Sequence, residues 1–257
     1  MLEITRTSTE KTKAKKIVVV MPAYNAAKTL KATYQAIDTD LIDEIILVDD
    51  HSEDATVEIA KELNITLFRH PQNLGYGGNQ KTCYDEALKI GAEIVVMLHP
   101  DGQYDPTLLA EIVKPIQQET ADLVLGSRML LKGQALRGGM PVYKLCANKI
   151  LTRIENLALK QSLSEYHTGY RAFSKAFLET IPYHRNSNDY VFDSEILIQA
   201  VAFEQRIAEI PITTHYFEGA SSASFVQSLI YGLKTLTTLK TYLLHEWGIG
   251  RSKLFTQ

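Results

Sequence analysis

Five short aliphatic runs frame this chain: Ile17–Met21, Glu44–Val48, Ile65–Phe68, Glu93–Leu98 and Asp122–Leu125. The first, Ile17-Val18-Val19-Val20-Met21, is an almost unbroken β-branched run, the pattern of a strand buried on both faces. Each run closes on a polar turn. Helical spacing follows over Ala26–Ile37, over Ala55–Leu63, in the stretch reaching Ile90, and over Thr107–Gln118. Strand and helix in regular alternation predict an α/β fold, a mostly parallel sheet with helices on both faces. In such sheets ligands bind in the crevice outside the carboxyl ends of the strands, so the chemistry is sought in those turns.

The central turn follows Val95–Leu98 and reads His99-Pro100-Asp101-Gly102-Gln103-Tyr104-Asp105-Pro106. Asp101, with His99 two residues before and Gln103 two after, offers oxygen and nitrogen ligands to a divalent cation, which would neutralise a diphosphate. Asp105-Pro106 has the form of a helix cap, which relieves Asp101 of that task. The first strand ends in Pro22-Ala23-Tyr24-Asn25, without the G-x-G-x-x-G of dinucleotide binding. The second ends in Asp49-Asp50, paired acids able to accept from a nucleobase imino group or a ribose hydroxyl, with Ser52 and Asp54 placed to cap the next helix. The third leads to His70–Lys81, where Gly75, Gly77 and Gly78 let backbone approach a ligand and start a helix with free N–H groups.

The second half is less regular. Gly126-Ser127-Arg128 ends the fifth strand, residues 129–141 read as a loop, and Val142–Leu159 is helical with Lys144, Lys149 and Arg153 among its polar residues. Ser164–Phe173 is a polar and aromatic cluster too rich in functional groups for a plain linker. Phe192 opens a helix that Asp193 or Ser194 can cap, and Arg206–Phe217 reads as a bent β segment. Phe225, Leu229, Leu233, Leu236, Leu243 and Trp247 then mark an amphipathic helix with Lys234 and Lys240, followed by Arg251 and Lys253. Packing on the domain or on a second subunit, as a homo-oligomer, is its expected task; peripheral docking on a membrane is the alternative.

These features divide the chain into a polar lead-in over 1–16, one catalytic domain over 17–222, and a helix with its tail over 223–257. The lead-in lacks the apolar region of a secretory signal, and no run of about 18 apolar residues marks a membrane span. A formal charge of -3 and a pI near 6.2 give no reason to expect nucleic acid. Cys83 and Cys146 read as reduced thiols of a cytoplasmic protein.

With these turns in order, the chain resembles the family-2 glycosyltransferases of GT-A fold, especially the dolichol- and polyprenyl-phosphate sugar transferases. The resemblance spans roughly 17–220 and rests on Pro22-Ala23-Tyr24-Asn25, Val48-Asp49-Asp50-His51-Ser52, Asn73-Leu74-Gly75, Asp101-Gly102-Gln103, Gly126-Ser127-Arg128 and Gly169-Tyr170-Arg171. It implies a nucleotide-sugar donor, UDP- or GDP-linked, bound by Pro22, Tyr24 and Asp50, with Asp50 facing the base. Asn25, Asp49, Asn73, Gly75 and Lys81 complete the expected nucleotide set. It also implies Mn²⁺ or Mg²⁺ on Asp101 with Gln103 beside it, and Arg128 and Arg171 holding phosphate, that of a lipid acceptor or of the donor.

Three features depart from the family pattern. His99 stands where an acid is common, and imidazole is a competent ligand for Mn²⁺ but a poor one for Mg²⁺. Ala26 replaces the acid that often follows Pro-x-Tyr-Asn, and the C-terminal spanning helices of membrane-bound relatives are represented only by the amphipathic helix. The implied reaction is an inverting displacement at the anomeric carbon. A hydroxyl acceptor would need a general base, for which Glu165 is the first choice, whereas a phosphate acceptor needs none. Two other readings compete: a nucleotidyltransferase, disfavoured because the first turn lacks a Gly-rich basic loop, and a non-catalytic sugar-nucleotide-binding scaffold, suggested by His99.

Overall fold

The computed structural model describes residues 15–214 and 225–256. Seven strands, β1 (Ile17–Ala23), β2 (Glu44–Asp49), β3 (Thr66–Arg69), β4 (Ile94–Met97), β5 (Leu123–Ser127), β6 (Arg171–Ser174) and β7 (Ile207–Pro211), form one sheet in the order β3-β2-β1-β4-β6-β5-β7. Helices α1 (Leu30–Gln35), α2 (Thr56–Glu62), α3 (Tyr76–Lys89), α4 (Leu109–Gln117) and the short α5 (Gln134–Arg137) belong to the first half. They are followed by α6 (Val142–Leu159), α7 (Lys175–Thr180), α8 (Phe192–Ala202) and α9 (Phe225–Glu246). The predicted lead-in up to residue 14, and the end of the predicted bent segment with the turn Glu218–Ser222, lie outside the described residues.

The period-2 alternation of the strands builds two cores, one on each face. Val18, Val20, Ile46, Val48, Val95 and Met97 pack with Tyr84 of α3, Phe177 of α7 and Phe192 of α8. Val19, Met21, Ile45, Leu47, Ile94 and Val96 pack with Leu30 of α1, Ala60 of α2 and Ile112 of α4. Every residue of β1 is buried, which explains why no polar alternation shows in its sequence.

The strand-helix alternation therefore holds, with one exception. β6 runs antiparallel between β4 and β5. It lies inside the cluster read as functional, and Arg171 and Ser174 leave it only two apolar residues, too few to register. Its insertion puts Arg171, the first residue of β6, opposite Met97 at the end of β4 and beside Leu125 of β5. The order reverses direction at β1 and β4, where parallel neighbours leave on opposite sides, so the crevice lies between the turns after these two strands. Thr29 Oγ1 donates to the Pro100 carbonyl at 2.6 Å, tying one turn to the other.

Candidate active site

Asn25 takes the left-handed conformation (φ 53°), which Asn tolerates better than most residues. Its N–H donates to Ser52 Oγ at 2.8 Å and its Oδ1 accepts from the Glu53 N–H at 2.9 Å. This turn leaves Pro22 buried and Tyr24 more than half exposed at the mouth of the crevice. The cap position of α2 is Ala55, which has no side-chain cap bond. Asp54, just before it, accepts from the Thr56 N–H and the Ala27 N–H, both at 3.0 Å, while Ser52, also expected to cap, accepts from Asn25 instead.

The paired acids part company. Asp50 is buried, and its carboxylate accepts from the N–H groups of Leu74 (2.8 Å) and Gly75 (3.0 Å) and lies 2.8 Å from His70 Nδ1. Asn73 completes the lock, donating to the Asp50 carbonyl and accepting from the Gly75 N–H. Asp50 thus organises a loop, and its oxygens are already engaged by the chain. Asp49 accepts from the Ser52 N–H at 3.1 Å and lies 3.3 Å from Arg69 Nε, while its Oδ1 is buried and has no hydrogen-bond partner among the described residues.

The glycine-rich turn is also directed inward. Gly75 has φ 84°, and a Cβ there would lie 2.6 Å from the Asn188 carbonyl. The Gly77 N–H donates to that carbonyl at 2.9 Å. Lys81 donates to the Asn186 carbonyl and to Asn188 Oδ1. The amides expected to cradle a ligand therefore bind Asp50 and the 186–188 segment instead.

At the central turn Asp105 caps as expected, accepting from the Thr107 N–H. Asp101 is half-buried and accepts from the Gln103 N–H at 3.0 Å and from Gln103 Nε2 at 2.9 Å. Burial raises its carboxyl above the usual range, opposed only in part by His99 and these hydrogen bonds. His99 stacks on Tyr76 at 5.5 Å with 7° between the rings, and its Nε2 lies 3.3 Å from the Tyr76 hydroxyl. A Cβ at Gly169 would lie 2.9 Å from the imidazole, so glycine is required there for the ring to fit. Burial pushes this imidazole below its ordinary range, which keeps it neutral at pH 7. The Gly169 N–H donates to Tyr104 Oη at 2.8 Å, closing the turn against the Gly169-Tyr170-Arg171 segment.

Two residues here were not singled out from the sequence, Tyr76 and Tyr104, and a third, Asp193, was read only as a helix cap. Asp193 does not cap α8; its carboxylate accepts from Tyr76 Oη at 2.7 Å and Gln80 Nε2 at 3.2 Å, and lies 3.4 Å from Arg171. Arg171 is fully buried and donates to the carbonyls of Thr168, Tyr166 and Asp193. It bolts the turn to α8 and has no face toward a phosphate.

Glu165 and Arg128 form a buried pair. Glu165 accepts from the backbone N–H and Nε of Arg128, both at 2.8 Å, from a second guanidinium nitrogen, and from Asn148 Nδ2 at 2.9 Å. Burial works against its ionisation, but the Arg128 charge and these donors prevail and hold the carboxyl below the usual range. With that pKa and those partners Glu165 is poorly suited to take a proton. Beside the pair lies a cavity of about 330 Å³, lined by Arg128, Lys132, Lys149, Leu131, Leu136 and Leu145 among others. Burial and the nearby Arg128 push the ammonium of Lys144 below its ordinary range. Among the described residues no salt bridge engages Lys132, Lys144 or Lys149. The loop continues to Gly138, which abuts the Thr214 carbonyl, and Thr214 pairs with Tyr104, so the cavity and the Asp101 turn are neighbours.

The "Glycosyl transferase family 2" profile matches residues 18–181. The UDP-N-acetylglucosamine–dolichyl-phosphate N-acetylglucosaminyltransferase of Methanococcus voltae is 33% identical over 221 residues, covering 79% of this chain and 87% of that protein. The undecaprenyl-phosphate mannosyltransferase of Micrococcus luteus is 24% identical over 247 residues, covering 93% and 99%. The glucosyl-3-phosphoglycerate synthase of Mycobacterium tuberculosis, solved with Mn²⁺, UDP and phosphoglyceric acid, superposes with a TM-score of 0.69 at 19% identity over 89% of this chain and 78% of that one. That likeness establishes the GT-A fold. Relatives named as transferases do not favour the scaffold reading. The turns, their order along the sheet and these matches lead to one assignment: the chain belongs to glycosyltransferase family 2.

Proposed function

We propose that the chain moves a sugar from a nucleoside diphosphate, UDP- or GDP-linked, to the phosphate of a polyprenyl lipid, with inversion at the anomeric carbon. The observation that carries the acceptor half is the cavity at Arg128, where Lys132 and Lys149, engaged by no salt bridge among the described residues, meet leucine walls. A phosphomonoester on an isoprenoid chain has that pair of properties. The state of Glu165 agrees, because a phosphate oxygen attacks without a general base. Its electron pair forms the new bond to the anomeric carbon, and the bond to the nucleoside diphosphate breaks with its pair leaving on oxygen. The names of the Methanococcus and Micrococcus relatives, both acting on polyprenyl-type phosphates, support the same class.

On the donor side Tyr24 offers an exposed ring for the nucleobase, and behind it Asp49 holds a buried Oδ1 that has no hydrogen-bond partner among the described residues. Among the described residues no three His, Cys, Asp or Glu side chains converge. Asp101 nevertheless fits a hard divalent cation, since such ions often take one carboxylate and complete their shell with substrate phosphates and water. A buried carboxyl with a raised pKa is also what a bound cation would return to the ionised form. Such an ion would neutralise charge on the departing diphosphate. His99, stacked on Tyr76 and seated on Gly169, acts as a buttress for the turn.

The test offers the purified protein a panel of UDP- and GDP-sugars with Mn²⁺ or Mg²⁺, and compares polyprenyl phosphate with the corresponding polyprenol. Product is expected from the phosphate alone, with no transfer in chelator. Equal transfer to the polyprenol would sink the phosphate-acceptor reading.

A further inference from the structure

Helices α6 and α9 lie side by side, with Gly232 of α9 against Leu151 of α6, and both are inside out. α6 turns Thr152 and Glu155 inward and leaves Val142, Tyr143, Ile150, Ile154 and Leu157 in solvent, Leu157 at 85% exposure. α9 turns Tyr231, Thr235, Thr238, Leu239 and Tyr242 toward the domain, where Ser194 lies 2.7 Å from the Tyr231 hydroxyl and 3.0 Å from Thr235 Oγ1. Its outer stripe is Val226, Leu229, Ile230, Leu233 and Leu236. Leu229, Leu233 and Leu236, read from the sequence as a packing face, are therefore the outward face, and the inner face is half hydroxyl. Leu130, Leu131 and Leu136 extend the apolar surface to the Arg128 cavity. Thirteen of the eighteen exposed large apolar side chains among the described residues belong to these segments. A patch this concentrated on a protein surface marks an interaction site.

Charge selects the occupant. Residues 128–160 hold seven cations, Arg128, Lys132, Arg137, Lys144, Lys149, Arg153 and Lys160, and one acid, the buried Glu155, in a chain of net charge -3. A second copy meeting this face across a two-fold axis would set cation against cation. An anionic bilayer surface complements both properties, taking the apolar stripes into its headgroup boundary and pairing its phosphates with the Lys and Arg rim. No helix among the described residues is long and apolar enough to cross a membrane.

We infer that the α6–α9 face docks the protein on anionic lipid and sets the Arg128 cavity at the headgroup plane. The inference rests on the lipid-phosphate reading for its purpose, while the docking itself is separable from it. Co-sedimentation with phosphatidylglycerol vesicles, with phosphatidylcholine vesicles as reference, measures the docking. The full chain is expected to partition onto the anionic vesicles at least about tenfold better, with partial release at high salt because the Coulombic part is screened. Leu157→Glu combined with Leu229→Glu, both on exposed positions and with folding checked by circular dichroism, is expected to lower that partition about tenfold or more.

A water-soluble short-chain prenyl phosphate supplies the second readout. The double variant should turn it over at the wild-type rate. Failure to bind anionic vesicles, equal binding to both lipids, equal binding by the variant, or a dimer in light scattering that the substitutions dissolve would each overturn the docking surface. Docking with no transfer to any prenyl phosphate would instead overturn the acceptor reading and leave the docking intact.

Discussion

The rim proposed for the donor and the side proposed for the acceptor are built on opposite plans. Around the turns after β2 and β3 the chain answers its own polar groups: Asp50 holds the Leu74 and Gly75 amides, and Lys81 is tied to the 186–188 segment. Around β5, α5 and α6 no salt bridge among the described residues engages Lys132, Lys144 or Lys149, and leucines turn outward. The first region presents a pre-organised shape, which limits the ordering cost of binding. The second presents charge and apolar surface that a phospholipid-like ligand would complete. Arg128 stands between them, answered by Glu165 on one side and lining the cavity on the other.

Arg128→Ala should give the largest effect. It removes the partner of a fully buried carboxylate and is expected to cost about 3–5 kcal/mol in denaturant unfolding at neutral pH. The pH dependence identifies the cause. In the wild type the Glu165 carboxyl sits below its unfolded value, so its stabilisation is full above about pH 4.5 and fades as pH falls through the folded value. Without Arg128, burial raises that carboxyl instead, and the difference between the two proteins should shrink in acid and widen toward neutrality. A difference independent of pH would show that Arg128 acts through packing alone.

Asp101→Asn comes next. It keeps shape and its place in the turn but removes the charge a cation needs. Turnover is expected to fall at least about a hundredfold, roughly 2.7 kcal/mol of transition-state stabilisation, with metal-dependent diphosphate affinity lost in calorimetry. Unchanged affinity with Mn²⁺ would remove Asp101 from the metal site and break the view that the donor rim lacks only an ion.

The sheet was legible because β1, β2 and β4 are apolar runs buried on both faces; β6, no shorter than β4, was hidden because Arg171 and Ser174 leave it only two apolar residues. The positions of the site turns followed from the same strands. What individual side chains do in those turns did not follow. Asp50, Arg171 and Glu165 are the residue types that meet ligands, yet each is consumed by internal partners 17 to 37 residues away or by local carbonyls, and spacing alone cannot reveal that. Asp193 shows the reverse: read as a helix cap, it reaches Tyr76 and Arg171 across the fold. The outer stripe of α9 was visible as a period but not as a direction, because its inner face is made of threonine and tyrosine.

A paired substitution separates the two acids of the donor rim. Asp50→Asn places an amide NH₂ or a single carbonyl oxygen where two backbone donors converge, and is expected to cost about 1–3 kcal/mol of stability with little change in nucleotide affinity of the folded protein. Asp49→Asn should do the opposite if its partnerless Oδ1 meets the nucleoside, weakening calorimetric binding of the donor nucleotide by a comparable amount. Loss of affinity in the Asp50 variant and not in the Asp49 variant would return base recognition to Asp50.

The smallest expected effect tests the acceptor side most directly. Lys144 projects from the first turn of α6 near Arg128, and its ammonium is held below its ordinary range by burial and by that neighbouring charge. An incoming phosphate would relieve the repulsion, so the two cations should favour the acceptor and leave the donor unaffected. Lys144→Gln keeps length and polarity while removing the charge. At a partly exposed site one such charge contributes about 1 kcal/mol, so KM for a short-chain prenyl phosphate should rise roughly fivefold, with kcat and donor KM unchanged. The increase should shrink as salt is added, because screening already weakens the wild-type attraction. An equal rise in donor KM would place Lys144 on the diphosphate, and the division between a self-satisfied donor rim and a cationic acceptor cavity would fail at that residue.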